Sequence, residues 1–143
     1  MSARSLAVAA LLAAAACSST QHYVDLPEKN LTVRTAATGA AVVLGVHRLD
    51  EKCFAHYEGV VTLDRPVIDI GLPAGRLTLL VFEFYSTGLI SGTRSLKREA
   101  SLRARAGYRY EASATYKDSI YGIELWEIDP RGARRELDIR RGC

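Results

Sequence analysis

From Leu31 onward, hydrophobic and polar residues alternate in short runs that Gly, Pro and Asp separate. Alternation of this kind is typical of β-strands with one buried and one exposed face. Strands are predicted at residues 42–44, 54–63, 77–85, 96–104, 108–116, 120–128 and 133–140. Seven short strands at this spacing favour an all-β fold, a single antiparallel β-sandwich. A short helix at residues 49–56 is the one exception that the pattern allows.

The strands at 96–104 and 108–116 are expected to form a hairpin. A three-residue loop at 105–107 pairs Ala104 with Tyr108 and brings the apolar residues of both strands to one face, whereas a two-residue loop would separate them. Gly107 then takes the position that requires positive φ in a type I turn with a glycine bulge.

A second hairpin is expected around residues 129–132, which read Asp-Pro-Arg-Gly. These residue types are preferred at the successive positions of a type I turn. A loop of residues 130–132 pairs Leu125 with Leu137 and makes one face continuously apolar. Gly132 is therefore also expected at positive φ.

An apolar segment precedes all of these strands. Arg4 is followed by eleven residues of only Leu, Ala and Val at positions 6–16, and the last three, all alanines, lead directly into Cys17. A positive start, an apolar stretch of about 7–15 residues and a small-residue cleavage site are typical of a secretory signal peptide, whereas a membrane span needs about 20 apolar residues. Residues 14–17 resemble the lipobox of bacterial lipoproteins. That resemblance implies a diacylglyceryl group on Cys17, which becomes the new N-terminus.

The chain is therefore expected to have three parts. Residues 1–16 are a signal peptide, residues 17–30 are the lipidated cysteine with a flexible tether, and residues 31–143 are the β-sandwich domain. The tether has no periodicity, and as a flexible coil its ends would lie about 20 Å apart. Removal of residues 1–16 from the 143-residue chain leaves 127 residues, which suffice for one domain with a core but not for two.

The number of cysteines supports this organisation. The chain has three, Cys17, Cys53 and Cys143, and an odd number in an exported protein requires an explanation. A lipid on Cys17 leaves two thiols in an oxidising compartment, so we expect a Cys53–Cys143 disulfide. The alternatives are two unpaired thiols or a disulfide to another chain.

Two glycine-containing segments have a recurring form. They read Leu-Pro-Ala-Gly-Arg-Leu-Thr-Leu at residues 72–79 and Ala-Gly-Tyr-Arg-Tyr-Glu-Ala at residues 106–112. This pattern is similar to that of small bacterial lipoproteins with transthyretin-like or PEGA-like β-sandwiches, over about residues 40–128. The resemblance implies a transthyretin-like sandwich, with an immunoglobulin-like one as the alternative. It implies no catalytic residues.

Charge and side-chain chemistry argue against several classes of function. Only Arg4 of the 19 Lys and Arg residues lies within the signal peptide, so 18 basic and 16 acidic side chains remain, a balance that does not favour nucleic-acid binding. His47, Cys53 and His56 have a spacing that could bind a metal, but the expected disulfide uses the thiol. Neither a nucleophile nor a carboxylate pair has the spacing that catalysis requires. We therefore expect no metal, no cofactor and no enzymatic activity.

Four residues could form a binding surface. Arg103, Arg105 and Arg109 lie on the solvent-facing parity of the first predicted hairpin, whose register sets Arg103 opposite Arg109. Opposed like charges are compatible with an anionic partner such as a lipid headgroup or a polysaccharide. Glutamates alternate with these arginines, which is equally typical of a solvated face. Trp126 has the parity opposite to Leu125, so it packs in a second layer or is exposed for binding.

Together these observations predict a membrane-anchored periplasmic lipoprotein with a non-catalytic structural or protein-interaction role in the cell envelope. Its expected partners are the membrane, through the lipid on Cys17, and an envelope protein. Ser18 follows Cys17, and by resemblance to lipoprotein sorting a residue other than Asp favours the outer membrane. The alternatives are an accessory lipoprotein subunit of an envelope or secretion machine, and a carbohydrate- or lipid-binding module.

Overall fold

The computed structural model describes residues 20–88, 92–140 and 143. Within these residues the chain forms nine β-strands and no helix. The strands are β1 (Leu31–Ala37), β2 (Ala40–Leu49), β3 (Ala55–Thr62), β4 (Val67–Ile70), β5 (Leu77–Gly88), β6 (Gly92–Arg103), β7 (Arg109–Lys117), β8 (Ile120–Ile128) and β9 (Arg134–Glu136). The predicted signal peptide and the lipid site at Cys17 lie outside the described residues.

The strands form two packed sheets, as predicted for an all-β sandwich. One sheet has five strands in the order β4-β1-β7-β8-β9, and the other has four in the order β3-β2-β5-β6. Every pair is antiparallel except β1 with β7, which is parallel. The predicted seven strands are all present, and the sequence pattern missed the short β1 and β4.

The core lies between the sheets and follows from the alternation along each strand. On β2, Val42, Leu44 and Val46 are buried, while the residues between them face outward. β5 contributes Phe82 and Phe84 to the same layer. The opposite sheet supplies the buried residues Leu31, Val33, Ile68, Ile70, Tyr110, Ala112, Ala114 and Leu125.

The predicted hairpin of 96–104 with 108–116 is wrong. β6 pairs with β5, and β7 pairs with β1 and β8, so the chain crosses from one sheet to the other after Ala104. The register that pairs Ala104 with Tyr108 would also pair Leu102 with Tyr110, but these two side chains are both buried in the core that the two sheets share. The physical reason is that apolar alternation is the same whether two strands pair or belong to facing sheets. Gly107 nonetheless has the predicted positive φ, of 79°.

The hairpin at residues 129–132 is confirmed. Ile128 pairs with Arg134, and the Leu137 amide donates to the Leu125 carbonyl at 2.7 Å, as the three-residue loop requires. Gly132 has a φ of 89°. The Asp129 carboxylate accepts the amide hydrogens of residues 131 and 133, which closes the turn.

The predicted helix at residues 49–56 is also wrong, because the Asp50 side chain organises a turn there. Its carboxylate accepts the amides of Lys52 and Phe54, both at 2.9 Å. Such local bonds from an aspartate compete with helical ones. Cys53 has a φ of 65° in this turn, which joins β2 to β3.

Residues 20–30 differ from the predicted flexible tether, and we refer to them as the strap. His22 forms a parallel bridge with Val60 of β3, and the Tyr23 amide donates to the Val60 carbonyl at 3.0 Å. The strap then crosses to the edge of the other sheet, where the Asn30 amide group exchanges two hydrogen bonds of 2.8 Å with the Leu72 backbone. Backbone pairing across the open edge of the sandwich thus orders a segment whose composition is typical of coil.

Two buried glycines let the strap approach closely. A Cβ on Gly59 would lie 2.7 Å from the carbonyl carbon of His22 and closer still to Tyr23. A Cβ on Gly71 would lie 2.8 Å from the Leu26 side chain and would collide with two strap carbonyl oxygens. Side chains at these positions would therefore push the strap off the sandwich.

The C-terminus is held by a covalent bond. Cys53 and Cys143 form the predicted disulfide, with their Cα atoms 5.8 Å apart. The Ser101 hydroxyl donates to the Arg140 carbonyl at 3.1 Å, so the C-terminal segment lies against β6 before it reaches the β2–β3 turn. We refer to this disulfide and its segment as the clamp.

Candidate interaction surface

The outer face of the four-stranded sheet carries a groove of about 750 Å³, which we call the sheet groove. Its floor consists of outward residues of three strands. Gly45 lies between Val43 and His47 on β2, with Val60 of β3 and Val81 of β5 as its cross-strand partners. Because Gly45 has no side chain, the floor is deepest at the centre of the sheet.

His47 lies across this glycine. Its Nε2 is 3.3 Å from the position that a Cβ on Gly45 would occupy. Its ring makes an edge contact with the Tyr57 ring, with the two centroids 5.3 Å apart. Burial lowers the pKa of His47, against the opposite influence of Glu99 and Glu58. Its Nδ1 is buried and has no hydrogen-bond partner among the described residues. The ring is therefore a neutral, largely apolar part of the floor at neutral pH.

Tyrosines and one ion pair form the rim. Tyr57 is 48% exposed and Tyr85 is 36% exposed, so both present ring surface to solvent. Burial raises the pKa of Tyr85, and a hydrogen bond with Glu83 adds to the effect. Glu83 also pairs with Lys97 of the edge strand β6 at 3.8 Å. The rim thus has a neutralised charge pair and two amphipathic side chains.

The strap closes one side of the groove. Thr20 and His22 line it, and the Tyr57 hydroxyl donates to the Gln21 carbonyl at 3.2 Å. The first described residue of the chain therefore lies at the groove itself.

A second cavity, of about 700 Å³, lies beside the clamp. Arg103, one of the predicted binding residues, lines it and donates to the Gly75 carbonyl at 2.7 Å. The lining is of mixed charge, with Arg48, Lys52 and Arg76 as well as Asp50 and Glu51. Arg76 is paired with Glu58, which removes one of the free cations. The remaining lining carries three cations, Arg48, Lys52 and Arg103, against the carboxylates of Asp50 and Glu51, so its positive excess is small.

The four predicted binding residues do not form one surface. Arg103 belongs to the four-stranded sheet, whereas Arg109 and Trp126 face outward from the five-stranded sheet. The predicted pairing of Arg103 with Arg109 is wrong, because their strands are not neighbours. Arg105 lies in the connection between the sheets, where its guanidinium stacks on Tyr108 with a centroid distance of 3.9 Å.

Trp126 is half-buried rather than fully exposed. The Arg134 guanidinium covers its ring at 4.2 Å from the centroid and pairs with Glu111 at 3.2 Å. Arg109 is exposed on the same face. The outer face of the five-stranded sheet is thus a charged surface with a covered tryptophan, which contrasts with the apolar floor of the sheet groove.

Glu127 carries a buried carboxylate that no sequence pattern indicated. Its oxygens accept hydrogen bonds from the Tyr110 hydroxyl at 3.1 Å and from Arg135 at 2.7 Å, and Arg105 lies at 3.4 Å. The Tyr110 hydroxyl in turn accepts the Arg105 amide at 3.0 Å. Because every contact is internal, this network fixes the connection between the sheets rather than offering a binding site.

No group of three or more His, Cys, Asp or Glu side chains in the described part of the chain could hold a metal ion. Cys53 is in the disulfide, and His56 pairs with Asp50 at 2.7 Å between Nε2 and Oδ2. That hydrogen bond, together with the Phe54 amide, lowers the pKa of Asp50. These side chains therefore stabilise the turn at the clamp.

One sequence signal could have indicated the sheet groove. Gly45 interrupts the outward parity of a strand that is otherwise rich in valine, and a glycine inside a strand often marks a close approach. Of the chain's tyrosines, Tyr57 and Tyr85 line the groove, and no sequence pattern distinguishes them from the others.

No family model matches this chain, and no curated protein matches it. Among solved structures it is similar to transthyretin from Sparus aurata, with a TM-score of 0.46 and 14% identity over 70% of this chain and 98% of that one. It is also similar to sea bream transthyretin in complex with thyroxine, with a TM-score of 0.44 and 15% identity over 67% and 93% of the two chains. Of the described residues, none belongs to a helix that is long and apolar enough to cross a membrane.

Proposed function

We propose that this protein is a lipid-anchored, non-catalytic domain of the bacterial cell envelope, held close to the membrane as a structural or interaction module. The strap is the observation that carries this proposal. Thr20 already lines the sheet groove, and only Ser18 and Ser19 separate it from Cys17. Three residues reach at most about 11 Å when fully extended. A lipid on Cys17 would therefore hold the sandwich directly against the bilayer.

The docked strap favours an interaction role over a free, tethered enzyme. A flexible coil would allow the domain to sample all orientations, whereas a docked strap gives it a preferred one. Two carboxylates near the groove are paired, Glu83 with Lys97 and Glu58 with Arg76. Paired carboxylates are poorly suited to proton transfer, because their charge is already compensated. Sorting to the outer membrane, with the domain in the periplasm, is part of the proposal and is supported by Ser18.

The size of the sheet groove favours a carbohydrate- or lipid-binding module as the second candidate. Ligand sites commonly occupy about 300–1,000 Å³, and the groove of about 750 Å³ falls within that range. The accessory subunit of an envelope machine is a special case of the interaction role.

Metabolic labelling with radioactive palmitate tests the anchor. We expect label in the wild-type protein and none in Cys17→Ala, because acylation requires the thiol. Ser19→Ala is the matched control and should remain labelled. On separation with a cloud-point detergent, the wild type should enter the detergent phase and Cys17→Ala the aqueous phase. An unlabelled wild-type protein would overturn the proposal.

A further inference from the structure

We propose that the face bearing the sheet groove rests on the bilayer that holds the anchor, with Tyr57 and Tyr85 at the level of the lipid headgroups. The proposed occupant of the groove is thus the membrane surface itself. This inference rests on the proposed lipidation of Cys17 and adds the orientation of the domain.

The place where the chain enters the fold supports this orientation. Thr20 and His22 line the groove, and backbone hydrogen bonds between residues 21–23 and Val60 fix the strap there. Cys17 can lie no more than about 11 Å from Thr20. Packed sheets are about 10 Å apart, so the far outer face lies behind the whole sandwich. The groove face is consequently the broad surface that is nearest to the anchor.

The chemistry of the face suits an interface between water and hydrocarbon. Val43, Val81 and the neutral ring of His47 provide an apolar floor. Lys97 pairs with Glu83 at 3.8 Å, and the exposed Glu99 lies next to this pair on β6. Tyrosines are enriched at membrane interfaces because their rings are apolar and their hydroxyls remain hydrated. Contact with lipid would therefore come from these side chains rather than from attraction of a basic patch to anionic headgroups.

The opposite outer face has the chemistry expected of a surface in water. It presents Arg34, Arg109, Lys117 and Glu124 to solvent, and Arg134 covers the Trp126 ring. Burying these charges against lipid would carry a desolvation cost, because hydrocarbon offers no hydrogen-bonding partner in place of the water that is lost. The two outer faces therefore favour one orientation on the membrane.

The single tryptophan makes the orientation measurable. Trp126 is replaced by Phe, and a new tryptophan is placed either in the groove rim, as Tyr85→Trp, or on the opposite outer face, as Ile120→Trp. Ile120 is 72% exposed and has the same outward parity on β8 as Trp126, so it is a solvent-accessible control. Each lipidated mature protein is reconstituted into phosphatidylethanolamine–phosphatidylglycerol vesicles, with or without bromine in the acyl chains.

We expect brominated lipid to reduce the fluorescence of Tyr85→Trp by about twofold or more, and that of Ile120→Trp by far less, because interfacial tryptophans reach the quencher. Flotation of the vesicles separates the two proposals. If the protein floats but Tyr85→Trp is not quenched more strongly than Ile120→Trp, the orientation is overturned and the anchor stands; a protein partner covering the groove would give this result. If the protein does not float, the anchor fails, and the orientation fails with it.

Discussion

The two ends of the folded chain are held against the same sandwich by different means. The strap at the N-terminus has backbone hydrogen bonds and lies against two glycines, Gly59 and Gly71. The clamp at the C-terminus has one disulfide, between Cys53 and Cys143, which are 90 residues apart. The strap is thus stabilised by native contacts alone, whereas the clamp also restricts the unfolded chain.

This difference determines how each end responds to mutation. In the chain-entropy model, a disulfide contributes mainly by lowering the entropy of the unfolded state, so its effect grows with loop length. A docked segment depends on the fit of its backbone, and it is lost when that fit is disturbed. The clamp should therefore affect global stability most, and the strap should affect local order.

Removal of the clamp is expected to give the largest effect. Replacement of both Cys53 and Cys143 by Ala should lower the free energy of unfolding by about 4.6 kcal/mol, the chain-entropy value for a separation of 90 residues. Urea unfolding of the mature domain, with and without reductant, measures the change. Reductant should destabilise the wild type to a similar extent and leave the double variant unchanged. An unfolding midpoint that is the same for wild type and variant would show that the clamp does not constrain the unfolded chain.

The strap is tested by Gly71→Ala. The added methyl group would meet the carbonyl oxygens of Leu26 and Glu28, which are backbone atoms with little freedom to move. We expect a loss of about 1–3 kcal/mol and faster hydrogen exchange at the amides of Tyr23 and Asn30, which bond to the domain.

Gly45→Ala is the matched control for this variant. It also adds one methyl group to a glycine in the sandwich, but the nearest atom is the movable imidazole Nε2 of His47, at 3.3 Å. Exchange at Tyr23 and Asn30 should therefore stay as in the wild type. Equal effects of the two substitutions would mean that the close approach of the strap to Gly71 does not hold it in place.

The sequence predicted one end of the molecule and missed the other for a physical reason. Cysteines are chemically distinct, so counting Cys17, Cys53 and Cys143 was sufficient to propose the clamp, and the structure confirms the disulfide. The strap has no such signal. Residues 21–30 have no periodicity, and their order comes from the edge of a sandwich whose strands lie far along the chain.

The same limit explains the error in strand pairing. Local turn chemistry was predicted correctly, since Gly107 and Gly132 both have positive φ. Alternation also identified the buried residues Leu102 and Tyr110. It could not tell whether their strands pair or face each other across the core, because both arrangements bury the same side chains. The binding surface around Arg103 and Arg109 depended on that pairing and was therefore wrongly assembled.

The smallest effect on stability is expected in the sheet groove, away from both the strap and the clamp, where a lower pH should act through protonation of His47. Burial lowers the pKa of this imidazole below its ordinary value of 6.5, so the unfolded chain binds the proton more readily than the folded protein. The stability that the neutral ring contributes is therefore present above pH 6.5 and is lost as the pH falls through the lower, folded value. His47→Gln should show a shallower fall in unfolding midpoint than the wild type as the pH is lowered from neutrality.

His22→Gln is the control for the loss of an imidazole, because His22 is exposed on the strap beside the same groove. Its unfolding midpoint should fall with pH as steeply as that of the wild type. Thermal unfolding of the three proteins, followed by circular dichroism at several pH values, compares the slopes directly. If His47→Gln and the wild type lose stability in parallel, protonation of the groove floor does not oppose folding. A shallower slope in His22→Gln instead would place the acid-sensitive contact in the strap and not in the floor.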